Sequence, residues 1–356
     1  MQKNSKRIAV IVNGATENSP ESLEQTLLNN GCQVDLFDVH KMRSTSDGFE
    51  IQRGENWEKI DPAKYDIVCR VIKGAVSGDT EKSWELQAYF ENGGAKPHIS
   101  VESAKKITDK VICRNALIDC GVPVTSAVVI PVDEKKEPFE FQSAIKELGD
   151  PPFAVRKSLG SGKGCVQIAA TADEAMSIVM NNRSPKGPNG VIRGSIVHTL
   201  PKPMDIVAAE KYQISGVDNI DKRPHHFRVV IIDGEVFATH VCLSEVGKFG
   251  LNPAQGTMLA PVSPQLLPEK IMELANNAAN AIGLKVAAID IAMGLNQLPQ
   301  VLDMNANPDL SQVNHQGISI KQAFAASIQN TQTGSMSSER AATQNIILRR
   351  LNGGRG

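Results

Sequence analysis

The stretch that most constrains this chain runs from Ala287 to Leu310. It contains Ile289-Asp290-Ile291, a polar turn, and Gln300-Val-Leu-Asp303-Met-Asn305-Ala-Asn307-Pro-Asp-Leu310. Apolar and β-branched residues flank a Gly/Asn/Pro cluster, so the segment reads as two strands joined through 294–299. Side chains alternate along a strand, which places Asp303 and Asn305 on one face and Leu302 and Met304 on the other. If the turn centres on Asn296–Gln297, Asp290 lies opposite Asp303. Two carboxylates and an amide oxygen then share one face. Acids that close repel one another unless a cation sits between them. Oxygen-only ligands suit Mg²⁺, which keeps waters and borrows phosphate oxygens. An ordinary hairpin with polar residues toward water gives the same pattern.

The 356 residues suffice for two or three compact units with their own cores. A net charge of −1 carries no electrostatic footprint for nucleic acid or an anionic membrane. Polar residues 1–7 lead into a strand, and no apolar run reaches the roughly 20 residues of a membrane span. The six cysteines form neither a Cys-x-x-Cys pair nor a zinc spacing. They read as reduced structural thiols of a cytoplasmic protein.

Residues 1–106 read as a small, doubly wound α/β domain. It has strands at Arg7–Val12, Gln33–Val39 and Asp66–Ile72, helices at Ser22–Asn30 and Glu81–Glu91, and a short strand at His98–Ser100. Such sheets bind ligands beyond the carboxyl ends of their strands, here the loops at 13–19 and 73–79. Residues 107–190 open with a helix at Asp109–Cys120. Strands follow at Ala127–Ile130, Phe153–Lys157 and Cys165–Ala169, with helices at Phe141–Leu148 and Asp173–Met180. Residues 191–330 carry strands near Asp205–Tyr212, His226–Ile232 and Glu235–Leu243, a helix at Leu267–Ile282, the opening hairpin and a short helix at Gly317–Ser327. Residues 331–356 read as a polar tail.

Between the last two strands of the second unit lies Ser158-Leu-Gly160-Ser161-Gly162-Lys-Gly164. Glycines free backbone N–H groups to wrap phosphate oxygens, and Lys157 at the strand end can reach them. The Gly-Lys-Ser/Thr ending of a P-loop is absent, and a flexible hairpin loop remains the plainer reading. Lys110 alone is an ordinary surface helix lysine. Arg228 is a charge within an apolar strand and needs an anion, either a phosphate or a structural carboxylate.

In order and spacing, these segments resemble the ATP-grasp family. The match runs through Asp109-Lys110, Val155-Arg-Lys157 with its glycine loop and Glu210-Lys211-Tyr212. It continues through Phe227-Arg228-Val, Asn252-x₃-Gly256, Ile289-Asp290-Ile and Leu302-Asp303-Met-Asn305-x-Asn-Pro. The resemblance implies an ATP-grasp fold, in which two α+β subdomains sandwich ATP, preceded by the N-terminal α/β domain. It implies that Lys110 and Lys157 bind phosphates while Ser158, Gly160, Ser161, Gly162 and Gly164 close over them. Glu210, Lys211 and Tyr212 would contact adenine, and Asp218 or Asp221 the ribose. Asp290, Asp303 and Asn305 would hold magnesium, two ions in all, for which Mn²⁺ can substitute. Arg228 and Lys248 are the candidate catalytic cations.

The N-terminal third is similar in layout to D-alanine–D-alanine ligases, whereas Asn252–Gly283 is closer to glutamate-adding and amino-group-carrier ligases. Ala288 and Cys242 stand where one or other branch has an arginine, so the group that stabilises a tetrahedral intermediate is open among Lys248, His240 and Arg228. The implied activity is an ADP-forming carboxylate–amine ligation through an acyl phosphate, with small-molecule or peptide substrates. No nucleic acid or membrane partner is expected, and a homodimer is the family's habit. A kinase on the same scaffold and a non-catalytic nucleotide-binding module are the alternatives.

Overall fold

A computed structural model describes residues 5–14, 23–72, 77–130, 138–149, 153–157, 166–182, 195–199, 225–244, 257–293 and 298–331. The N-terminal unit begins with β1 (Arg7–Val12), α1 (Leu23–Asn29) and β2 (Gln33–Asp38). Gly31, at φ +81°, takes the left-handed conformation that ends α1. A meander follows: β3 (Met42–Thr45), β4 (Gly48–Arg53) and β5 (Asn56–Lys59). Then come β6 (Ile67–Val71), α2 (Ser77–Asn92) and β7 (Lys96–Pro97). The parallel sheet has the order β2-β1-β6-β7. Leu23 and Leu27 of α1 pack on one face, and Leu86 and Phe90 of α2 on the other. Successive connections therefore leave β1 and β6 in opposite directions.

Two helices lead out of this unit, α3 (Val101–Thr108) and α4 (Lys110–Asp119). The central unit holds β8 (Ala127–Ile130), α5 (Pro138–Glu147), β9 (Phe153–Lys157), β10 (Val166–Ala169), α6 (Ala172–Asn182) and β11 (Ser195–Thr199). Its sheet has the order β10-β9-β11-β8. The sequence reading divides the chain at residue 190, yet β11 lies beyond that point and pairs with both β8 and β9. Its pattern of Ser-Ile-Val-His-Thr is too short to announce itself before its partners are known.

The last unit comprises β12 (His225–Ile232), β13 (Glu235–Leu243), β14 (Met258–Val262), α7 (Glu269–Ile282), β15 (Val286–Met293), β16 (Pro299–Asn305) and α8 (Ile320–Asn330). Its antiparallel sheet has the order β14-β13-β12-β15-β16. α7 buries Ile271, Leu274, Ala275, Ala278, Ala279 and Ile282, the spacing of one helical face. That face covers Phe227, Val229, Ile231, Ala287, Ile289 and Ile291.

The opposite face of this sheet is divided. Toward one end, Val230, Ile232, Val286 and Ala288 join Ile320, Phe324 and Ile328 of α8. The same core includes Ile8 and Val10 of β1 and Ile67 and Cys69 of β6. The N-terminal sheet and the last sheet are thus fused through one interior. Toward the other end the face turns polar. The central unit has its own core around Phe153, Val155, Ala175 and Val197. It meets the last sheet in a small apolar contact of Ala154 with Ala292 and Leu302. Among the described residues, no helix is long and apolar enough to cross a membrane.

Candidate active site

The polar end of the last sheet is built by strand register. Arg228 on β12 lies opposite Asp290 on β15, and Asp290 lies opposite Asp303 on β16. The pairing expected from the sequence, 290 with 303, is therefore present. The strict alternation expected along β16 is not. Ile291 pairs with Val301, so Leu302 is an extra residue without a partner on β15. Such a bulge re-aims the side chains on its strand. Leu302 turns toward Ala154 and Ala292, while Val301 and Met304 both enter the α7 core. Asp303 is thereby delivered to the same cleft as Asp290.

Neither carboxylate is bare. Arg228 grips Asp290 with a two-pronged bond, Nε to Oδ1 at 2.7 Å and Nη2 to Oδ2 at 2.8 Å. Of the two partners left open by the sequence, the arginine thus has a carboxylate. Asp303 receives two cations from two other elements. Lys110 Nζ lies 2.9 Å from Oδ1 and donates to the Met304 carbonyl at 2.7 Å. Arg156 Nη2 lies 2.6 Å from Oδ2, and its Nη1 reaches the Leu302 carbonyl at 3.3 Å. Lys110 is aimed by its neighbour: Asp109 caps α4, accepting from the Val111 and Ile112 amides. Asn305 completes the row, with Nδ2 at 3.5 Å from Asp303 Oδ2.

Burial and charge set the state of these groups. Burial alone would push the Asp303 carboxyl up, but Arg156 and Lys110 outweigh it and hold the group well below the ordinary carboxylate range. Asp290 raises the Arg228 pKa against the opposing effect of burial. Burial pushes His226 down to about 4, despite the pull of Asp290, so it is neutral at neutral pH. His240 is lowered for the same reason, and its Nε2 faces the Val313 carbonyl at 3.0 Å. Among the described residues, three cations thus face two carboxylates in one largely buried cleft, an excess of one positive charge. A cavity lies beside them, lined by Lys110, Cys113, Leu117, Arg156, Leu302 and Asp303.

Asp290, Asp303 and Asn305 offer hard oxygen donors only, a set that fits Mg²⁺. A second grouping, His226, Cys242 and Asp290, places one ligand atom from each within 4.8 Å. It suits a softer metal poorly here, because burial pushes the Cys242 thiol far up.

Of the residues singled out from the sequence, Lys110, Arg228, Asp290, Asp303 and Asn305 are gathered here. Lys157 ends β9, but its side chain lies outside the described part. Ser158, Gly160, Ser161, Gly162, Gly164, Glu210, Lys211, Tyr212, Asp218 and Lys248 lie outside the described residues. Arg156 was passed over. A second cation beside Lys157 at the end of an apolar strand was the available signal, but which anion Arg156 meets depends on β16, an element of another unit.

Comparison with known proteins agrees with this architecture. Residues 198–328 match the RimK-like ATP-grasp domain. No curated protein matches the chain. Among solved structures, the chain is similar to D-alanyl-alanine synthetase A from Vibrio cholerae, at a TM-score of 0.60 and 12% identity over 92% of this chain and 98% of that one. A RimK domain ATP-grasp protein from Sphaerobacter thermophilus gives 0.59 and 16% over 90% and 98%. The ATP-grasp ligase PsnB, solved with a minimal precursor, gives 0.58 and 14% over 91% and 98%. With the shared fold extending over nine-tenths of its length, the chain has the ATP-grasp fold, and its residues 198–328 match the RimK-like ATP-grasp domain.

Proposed function

We propose that this protein is an ADP-forming carboxylate–amine ligase acting on amino acids or peptides. The observation that carries the reading is the excess of cationic charge that the described residues bring around Asp290 and Asp303, on strands whose register brings both acids to one cleft. Such a cleft needs an anion, and a nucleotide's phosphates are anions that also attract a divalent ion to the two carboxylates.

A carboxylate is a poor electrophile and requires activation. In the reaction proposed, its oxygen attacks the γ-phosphorus of ATP, the bond to ADP breaks, and an acyl phosphate forms. An amine then attacks the acyl carbon, loses a proton and expels phosphate. The chain's own part in the first step is positioning and charge stabilisation. Lys110 and Arg156 are placed to hold phosphate oxygens, with Arg228 fixing Asp290. Asp303 is kept ionised and stays available as an oxygen donor. Magnesium, when bound at Asp290, Asp303 and Asn305, supplies Lewis-acid neutralisation of phosphate charge. Residues 158–164 are proposed to cover the phosphates and residues 210–212 to meet the adenine.

Ala288 is 2% exposed within the core shared with the N-terminal unit, and Cys242 is equally buried. Neither position supplies the cation that the two ligase branches place there. This favours a substrate other than D-alanine, with Arg228, Lys248 or His240 serving the tetrahedral intermediate. The test is ADP release, screened over amino acids and short peptides with Mg²⁺ present, with products weighed by mass spectrometry. A ligase joins two substrates with loss of water. A phosphorylated product that persists assigns the chain to kinase chemistry, and ATP binding without turnover assigns it to neither.

A further inference from the structure

Among the described residues, the N-terminal sheet ends in a charge without a carboxylate partner. On β6, Ile67, Val68 and Cys69 are buried, whereas Arg70, Val71 and Ile72 are partly open. Arg70 extends toward α2, and its Nη1 meets the Ser83 hydroxyl oxygen at 3.4 Å. Ser83 donates its own proton to the Thr80 carbonyl, which leaves that oxygen to accept. Among the described residues no carboxylate pairs with Arg70. The other described arginines are satisfied: Arg7, Arg43, Arg53, Arg156 and Arg228 each face a carboxylate, and Arg114 a backbone carbonyl. Burial pushes Arg70 down to about 10, the reverse of what Asp290 does to Arg228. It remains charged at neutral pH, in surroundings that offer it little solvation.

Its position is as informative as its isolation. β1 and β6 are the two strands between which the sheet's connections reverse direction, and ligands of open α/β sheets gather beyond the carboxyl ends there. The end of β6 also abuts the ribbon that carries the two acids. Asn307, two residues past Asn305, donates from Nδ2 to the Ile72 carbonyl at 3.3 Å, and its Oδ1 is buried without a partner. On α2, the Trp84 indole nitrogen is another buried polar atom without a partner.

We propose that Arg70 binds a substrate carboxylate that is not the one activated, an anchoring group held at the end of β6 while the reacting end lies at the Asp290–Asp303 ribbon. One isolated guanidinium balances one carboxylate and matches its two oxygens with a fork of N–H donors. The substrate class that follows is an amino acid or peptide with a free carboxylate besides the reacting one. The role of that anchor in ligation rests on the proposed function; the carboxylate site itself does not.

The test uses the full chain without nucleotide. Thermal unfolding is followed while N-acetylglycine, glycinamide, inorganic phosphate or sodium chloride is titrated at matched ionic strength. Only N-acetylglycine is expected to give a saturable rise in Tm, and Arg70→Gln is expected to weaken that response roughly 10- to 100-fold. An equal response in Arg70→Gln, no saturable response in the wild type, or a response to phosphate alone overturns the proposal. Arg70→Met, without ligand, should keep or raise Tm, because it removes an uncompensated charge. A drop of several degrees would instead mark Arg70 as a structural residue and overturn the proposal too. In the ADP-release assay, Arg70→Gln should raise KM for the carboxylate-bearing substrate and spare KM for ATP. A wild type that releases no ADP retires the ligase reading, and the N-acetylglycine titration still decides Arg70.

Discussion

Asp303 is the residue on which three units of the chain converge. It takes Lys110 from α4 and Arg156 from the central sheet, and it stands opposite Asp290 in the last sheet. Removing its charge leaves two buried cations unanswered. Asp303→Asn should therefore lower Tm and cut ADP release by on the order of 10²–10³, the usual cost of one charge-stabilising contact. Near-normal turnover in a steady-state assay would dismiss it from the site. Arg156→Ala should weaken ATP binding about tenfold or more, read by calorimetry; unchanged affinity would leave Arg156 with a structural role only. At this scale the sequence was legible where register alone decides. Asp290 opposite Asp303 was expected from symmetry about Asn296–Gln297; the strands beside the turn are symmetric about Asn296 instead, and the extra Leu302 restores the pair. Arg156 was not expected, because its partner Asp303 belongs to another unit and nothing in β9 names it. The excursion of Leu302 was hidden as well, since a bulge is set by the neighbouring strand rather than by the residues that form it.

Among the elements, α4 shows how a cap serves chemistry. Asp109 fixes the first turn, and the next residue is Lys110. Asp109→Ala should cost about 1 kcal/mol of stability and raise KM for ATP, because Lys110 then leaves from a frayed turn. Asp109→Ser should restore most of both, as judged by Tm and initial rates. The end of α7 offers a purely structural counterpart. Gly283 sits at φ +77°, and an added Cβ would come within 2.9 Å of the Ser103 hydroxyl oxygen on α3. Gly283→Ala should destabilise by about 1 kcal/mol or more in denaturant unfolding, with nucleotide affinity unaltered. Long periodic elements such as α7, β12 and β13 were readable because their apolar spacing is repeated several times. The β3–β5 meander was not. β5 reads Asn-Trp-Glu-Lys and is exposed throughout, so it carries no alternation. Helix α3 also escaped notice, being short and continued almost at once by α4.

For the molecule as a whole, His98 joins the N-terminal unit to the last one. Its ring packs edge-on to Phe324 at 5.2 Å, and its Nε2 meets Ser327 Oγ at 3.1 Å, which in turn donates to Asp233 at 2.8 Å. Burial, with Lys285 nearby, pushes the imidazole down to about 3. The folded chain therefore keeps His98 neutral, whereas the unfolded chain takes up a proton near pH 6.5. Stability tied to this residue is intact above about pH 6.5. It declines below that by up to about 1.4 kcal/mol per pH unit, until the folded histidine itself titrates. Unfolding between pH 7.5 and 5 should show a shallower fall for His98→Gln than for the wild type, and parallel curves would refute the assignment. The fold class was legible at this scale, since the order of strands and glycine breaks survives without contacts. The merging of two sheets around Ile8, Val10, Val230 and Ala288 was not, because nothing in either strand tells which other sheet it will touch. That merger has a mechanical result. With β6 and the acid-bearing ribbon joined through one apolar interior, the span between them is set by packing rather than by a linker. Under the proposed ligation, a substrate reaching from one to the other would be gauged by its length.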